Sequence, residues 1–139
     1  MNLIGFNLTK IQAERFDVLK KANLEMDIKF LNVVKEKVNI LKESEAVKIT
    51  FKKSLIYKDP TDKDAKEQAK ILFEGKIILS LTKEESKDIL KSWKKKQLPP
   101  NIGVYLSNLI IKRCASKAFQ LQDELNLPSH LKIPSVSNK

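Results

Sequence analysis

Residues 71–85 read Ile71-Leu72-Phe73-Glu74-Gly75-Lys76-Ile77-Ile78-Leu79-Ser80-Leu81-Thr82-Lys83-Glu84-Glu85, and the fold class turns on them. Up to Leu81, Ile71, Phe73, Ile77, Leu79 and Leu81 lie on one side while Leu72 and Ile78 occupy the other, as in a strand covered on two faces. Thr82 and Glu85 then match a capping box, in which hydroxyl and carboxylate satisfy the amides a helix leaves free at its start. The apolar period therefore changes at Thr82, with strands before it and helices after it. That order predicts an α+β fold: a four-stranded antiparallel sheet followed by two helices.

Upstream, Ile4, Phe6 and Leu8 alternate with polar residues, and the phase then slips so that Ile11 and Ala13 take the apolar side. An extra residue near Thr9-Lys10, as in a bulged edge strand, accounts for the slip and gives a first strand over 3–15. The connection Phe16–Leu24 carries Phe16, Val18, Leu19 and Leu24, too oily for a solvated loop, so it covers something. Met26, Ile28 and Phe30 alternate with Asp27 and Lys29 in a second strand. Val34, Val38 and Ile40 extend that stripe to about Leu41, and Glu43-Ser44-Glu45 turns the chain. Val47, Ile49, Phe51 and Leu55 mark a third strand, with a slip predicted near Lys53-Ser54. Lys58–Gln68, with Pro60, reads as a polar surface loop. Short connections favour an antiparallel meander.

Downstream, Ile89, Leu90 and Trp93 form the apolar face of a short helix that ends in Lys94-Lys95-Lys96, basic residues at its negative end. Pro99-Pro100 stops continuation and Asn101 is placed to cap a second helix over Leu98–Leu127. Ile102, Leu106, Ile110, Cys114, Ala118, Leu121 and Leu125 recur at helical spacing, flanked by Tyr105, Leu109 and Ile111. That stripe is too wide for one packing partner, and the surplus points to self-association or to apolar ligands. Pro128 ends the helix.

The chain of 139 residues is read as a single domain, 1–139, and 42% apolar with 32% charged residues suits a folded chain. No apolar run nears the roughly 18 residues of a membrane span, so no membrane insertion is predicted. The start Met1-Asn2-Leu3-Ile4-Gly5-Phe6 has no basic leader or small-residue cleavage site, and Cys114 is the sole cysteine, so a cytoplasmic setting is expected. A formal charge of +10 raises nucleic acid as a partner. Arg15 and Arg113 are the only arginines, however, and the lysines are scattered, which favours a solvated surface; a basic nucleic-acid-binding module is kept as the alternative.

Catalytic chemistry is poorly served. His130 is the sole histidine, read as a solvated ring in a Pro-Ser-His turn, so neither a two-histidine metal site nor a relay can form. Cys114 lies mid-helix on the apolar stripe, and Gly5, Gly75 and Gly103 are too dispersed for a phosphate loop. Glu84, Glu85 and Asp88 suit a helix start better than acid–base work. No enzyme, metal or cofactor is predicted. Met26, Ile28 and Phe30 read either as core or as a groove floor beside the covering loop Phe16–Leu24.

In combination, several short motifs resemble the bacterial export chaperone SecB. Phe6-Asn7-Leu8-Thr9-Lys10-Ile11 is similar to that family's first-strand pattern F-x-I-x-R-I, and Glu25-Met26-Asp27-Ile28-Lys29-Phe30 to its alternating second strand. Pro100-Asn101-Ile102 opens the long helix as the family's P-N-I does. Ala118-Phe119 followed by Leu125-Asn126-Leu127-Pro128 parallels the F-P-x-L-N-L-x-P exit, with extra residues between. The likeness spans roughly 4–133. It implies a homotetramer, a dimer of dimers, that holds unfolded polypeptides or preproteins in apolar surface grooves without ATP. Carried over position by position, the client-binding strand falls on Met26, Ile28 and Phe30, the crossover loop on Phe16–Leu24, and the apolar positions after the L-x-P exit on Leu131 and Ile133. SecB is acidic whereas this chain is basic, and the acidic first-strand position that meets the SecA motor aligns with Arg15, although Glu74 matches another acidic position. The acidic tail is replaced by Ser135–Lys139. The resemblance therefore leaves open the motor partner, and with it whether such a holdase serves export, general holding or, as some relatives do, a toxin–antitoxin system.

Overall fold

The structure, a computed structural model, describes residues 1–19, 21–36, 44–61, 64 and 66–131. Strands β1 (Asn2–Arg15), β2 (Asn23–Glu36), β3 (Glu45–Lys58) and β4 (Glu67–Leu81) form one antiparallel sheet, followed by helices α1 (Lys83–Trp93) and α2 (Pro100–Glu124). The predicted positions Val38, Ile40, Leu41, Glu43 and Ile133 lie outside the described residues, as does the tail Ser135–Lys139.

The strand order is β1-β4-β3-β2, so the meander holds for β2, β3 and β4 but not for β1. β1 lies against β4, where Leu3, Phe6, Leu8, Ile11 and Ala13 stand opposite Leu79, Ile77, Gly75, Phe73 and Ile71. Pairing there sets one apolar face beside another, and the connection from Phe16 then has to cross the sheet end to reach β2. The amides of Phe16 and Asp17 both donate to the Gln68 carbonyl at 2.8 and 3.3 Å, tying the crossing to the start of β4.

Register explains which side chains face inward. The bulge expected at Thr9-Lys10 is present between Leu8 and Lys10, and a second one between Leu3 and Gly5 makes Ile4 an extra, exposed residue. A third shift between Phe30 and Asn32 was not read from the sequence; it brings Val33 into the core in place of the predicted Val34. The slip predicted near Lys53-Ser54 does not occur. Phe51, Lys53 and Leu55 keep unbroken alternation against Phe30, Ile28 and Met26, so a lysine faces the core side of the sheet. Tertiary pairing overrides local polarity there, because one slip would turn the rest of β3 inside out.

Both helices cover that side: Ile89 of α1 and Leu106, Ile110, Cys114 and Ala118 of α2 join the same buried cluster as Val47, Ile49, Phe51 and Phe73. The capping box at Thr82 is complete, with Glu85 N donating to Thr82 Oγ1 and Thr82 N donating to Glu85 Oε1. The Thr82 amide holds the Glu85 carboxyl below its ordinary value. Asn101 does not cap α2; Pro99 precedes it and Pro100 stands in its first turn, where a missing amide costs nothing.

At Gly75 the sheet has no room for a side chain. A Cβ there would lie 2.6 Å from the Asn7 carbonyl oxygen and 2.7 Å from Phe51 Cζ. The Phe51 ring therefore sits over bare backbone, with the Phe6 ring 5.5 Å away. Gly75→Ala is expected to lower stability by about 1–3 kcal/mol, because backbone oxygen cannot move aside as a side-chain tip can. Urea unfolding would show this as a lower midpoint; an unchanged midpoint would contradict the close approach.

Candidate functional site

α2 buries a narrow stripe, Leu106, Ile110, Cys114, Ala118 and Gln122, each four residues from the last. The predicted continuation through Leu121 is corrected: Leu121 is half-buried, and glutamine takes the inward position. Meanwhile Val104, Tyr105 and Ile111 remain 63%, 41% and 37% exposed, so α2 has more apolar surface than the sheet covers. Burial pushes the Cys114 thiol above its ordinary value, the reverse of what a nucleophile needs.

The end of α2 is built to deliver the chain to one place. Asn126 adopts a left-handed φ of 52°. Leu127 N donates to the Gln122 carbonyl at 2.7 Å and Asn126 N to the Asp123 carbonyl at 3.2 Å, a Schellman closure. So Asn126 ends the helix, ahead of Pro128. Arg15 donates from its guanidinium to the carbonyls of Leu125 and Asn126 at 2.8 and 3.2 Å, placing positive charge on the helix's negative end.

A buried polar chain follows. The Tyr57 hydroxyl donates to the Pro128 carbonyl, and so it accepts from Gln122 Nε2, 2.8 Å away. That leaves Gln122 Oε1 facing His130 Nδ1 at 3.0 Å, so Nδ1 carries the proton and Nε2 is a bare acceptor. His130 is thus not the solvated ring the sequence suggests: it is 8% exposed and lies 4.7 Å from the Phe119 ring. Burial, aided by the Lys53 charge, holds its imidazole below the ordinary histidine value. The sequence signal missed here is Gln122, a polar residue one helical step beyond Ala118.

Between β2 and this exit lies a cavity of about 260 Å³, lined by Met26, Asp27, Ile28, Lys53, Ile111, His130 and Leu131. Three residues predicted for client binding, Met26, Ile28 and Leu131, meet there; Met26 and Leu131 are 55% and 40% exposed. Phe30, Leu19 and Leu24 are half-buried and pack on the core cluster instead. Phe16 and Val18 are exposed on the crossing segment and do not line this cavity. A larger depression, about 580 Å³, is walled mostly by charged residues, including Glu25, Lys29, Lys52 and Lys70, and offers little apolar grip.

Lys53 is the residue at odds with its surroundings. It is 1% exposed and its Nζ has no hydrogen-bond partner among the described residues. Burial pushes its ammonium below the ordinary lysine value.

The architecture has a counterpart among solved structures. The SecB-like chaperone Rv1957 of Mycobacterium tuberculosis, solved in complex with a ChAD peptide from the Rv1956 HigA1 antitoxin, superposes with a TM-score of 0.50. The two chains are 15% identical, and the match covers 99% of this chain and 91% of that one. The fold is SecB-like. The resemblance carried by the strand and helix-exit motifs therefore holds at the level of architecture. No family model matches the chain, and no curated protein matches it by sequence. Among the described residues no helix is long and apolar enough to cross a membrane.

Because folding disfavours the Lys53 ammonium, unfolding takes up a proton between its depressed folded value and the ordinary lysine value. Stability accordingly rises with pH across that window and is lowest below it. Lys53→Met is expected to remove that slope and to add about 1–3 kcal/mol at neutral pH. Urea midpoints of both proteins through the alkaline range check this; a destabilised variant would refute the unpaired burial.

Proposed function

We propose that this protein is an ATP-independent holdase that captures unfolded polypeptides on apolar surface beside β2 and the exit of α2. The observation that supports this reading is the meeting of Met26, Ile28, Ile111 and Leu131 around one open cavity in a SecB-like fold. An extended client gains roughly 25 cal/mol per Å² of apolar area it buries there. Pockets of this kind tolerate many sequences, and methionine adapts to varied side chains. The crossing segment, with Phe16 and Val18 exposed, extends the client surface, while Leu19, Leu24 and Phe30 anchor its surroundings by packing on the core cluster.

The working form is a homotetramer, a dimer of dimers, in the cytoplasm. Val104 and Tyr105 of α2, together with Ile4 and Ile11 on the β1 edge strand, supply exposed apolar area for subunit contacts. Arg15 is engaged with the end of α2, so it is not offered as a dock for a translocation motor. A narrower reading, a chaperone dedicated to one antitoxin, is favoured by the peptide bound to the Mycobacterium tuberculosis protein. A panel of unrelated unfolded clients separates the two: broad capture supports the general holdase.

Light scattering of an aggregating client gives the direct test. Suppression at one tetramer per client is expected, and its absence sinks the reading. Met26→Asp with Leu131→Asp should weaken client binding about tenfold or more while shifting stability by only about 0.5 kcal/mol, since both side chains are exposed. Sedimentation of the free protein as a monomer would overturn the assembly.

A further inference from the structure

The cavity that gathers Met26, Ile28, Ile111 and Leu131 has a lysine in its wall, unpaired among the described residues. Lys53 is 99% removed from solvent, and no carboxylate among the described residues reaches its Nζ. Asp27 also borders the cavity, but it stands opposite Ser54, one residue out of phase with Lys53, and its carboxylate lies 3.8 Å from Lys29 Nζ. His130 contributes a second polar atom, Nε2, that has no partner among the described residues. Register forces this arrangement: Lys53 sits between Phe51 and Leu55 on the inward face of β3, opposite Ile28.

We infer that this cavity is a subsite for the side-chain carboxylate of a Glu or Asp carried within an extended apolar polypeptide segment, with Lys53 as its counter-ion. The inference rests on the polypeptide-binding reading above and names which residues that site selects. A backbone carbonyl could accept a hydrogen bond from Lys53 but would leave its charge uncompensated, and a buried ammonium gains most from an opposite charge. A small free anion would leave the exposed rim of Met26, Ile111 and Leu131 uncovered. An acidic residue flanked by apolar ones fills both requirements. The cavity borders β2, an edge strand of the sheet, along which an extended segment can run past in both directions. A net charge of +10 speeds the encounter with acidic segments.

The test uses the full chain and two peptides of one extended apolar sequence, with Glu or Gln at the centre, amidated at the C-terminus and carrying a neutral fluorophore. By anisotropy, the Glu peptide is expected to bind about tenfold tighter than the Gln peptide, the scale of a hydrogen bond to a charged group. Lys53→Met should bring the two affinities together. Equal affinities for the unaltered protein, or a preference that survives Lys53→Met, overturn the subsite and leave polypeptide binding standing. Binding of neither peptide removes that reading and the subsite with it. A Gln peptide with a free C-terminal carboxylate that matches the Glu peptide assigns the anion to chain ends and overturns the side-chain assignment. Equal affinities in the wild-type pair overturn the subsite even where the variant does not fold.

Discussion

A single phenol on β3 holds the exit of α2 against the sheet. Tyr57 is fully buried, its hydroxyl hydrogen is committed to Pro128, and its oxygen accepts from Gln122, which in turn receives His130. An unpaired buried polar group is costly, so each of these hydrogen bonds stabilises the joint and losing one partner penalises the next. The Schellman closure at Asn126 and the Arg15 guanidinium on the last carbonyls fix the direction in which the chain leaves. Leu131 reaches the rim of the cavity because of this joint.

The second constraint is the one-sided cover of a wide sheet. α2 turns a narrow stripe toward β3 and β4, with the small residues Cys114 and Ala118 fully buried in it. A narrow contact leaves Val104, Tyr105 and Ile111 outside, and it leaves the β2 side of the sheet partly open. The same geometry thus leaves apolar surface uncovered both along α2 and beside β2. Lys53 stands at that opening, buried, and no described residue answers its charge.

Much of the scaffold is legible without coordinates. The alternation around Met26 and Ile28, the capping box at Thr82 and Glu85, and the bulge beside Thr9 all depend on neighbours in sequence, which a linear reading sees. The position of β1 beside β4 does not, since an antiparallel partner can lie at either edge and only the matching of whole apolar faces selects one. The candidate site is only partly legible in sequence: Met26, Ile28 and Leu131 meet around one cavity, whereas Phe16 and Val18 stand apart from it and Phe30 packs on the core. Lys53 and His130 were misread for one reason. Both are polar residues whose burial comes from distant partners, Ile28 across the ladder for one and Gln122 across the helix exit for the other.

Residue order alone sets the strands, the change of period at Thr82 and the excess of oily side chains, because each follows from local spacing and composition. Folding in three dimensions chose β1's neighbour, carried Lys53 inward, and turned His130 from a turn residue into a buried link. Those outcomes depend on contacts between segments far apart along the chain. There the gain from pairing entire faces exceeds the preference of any single side chain for water.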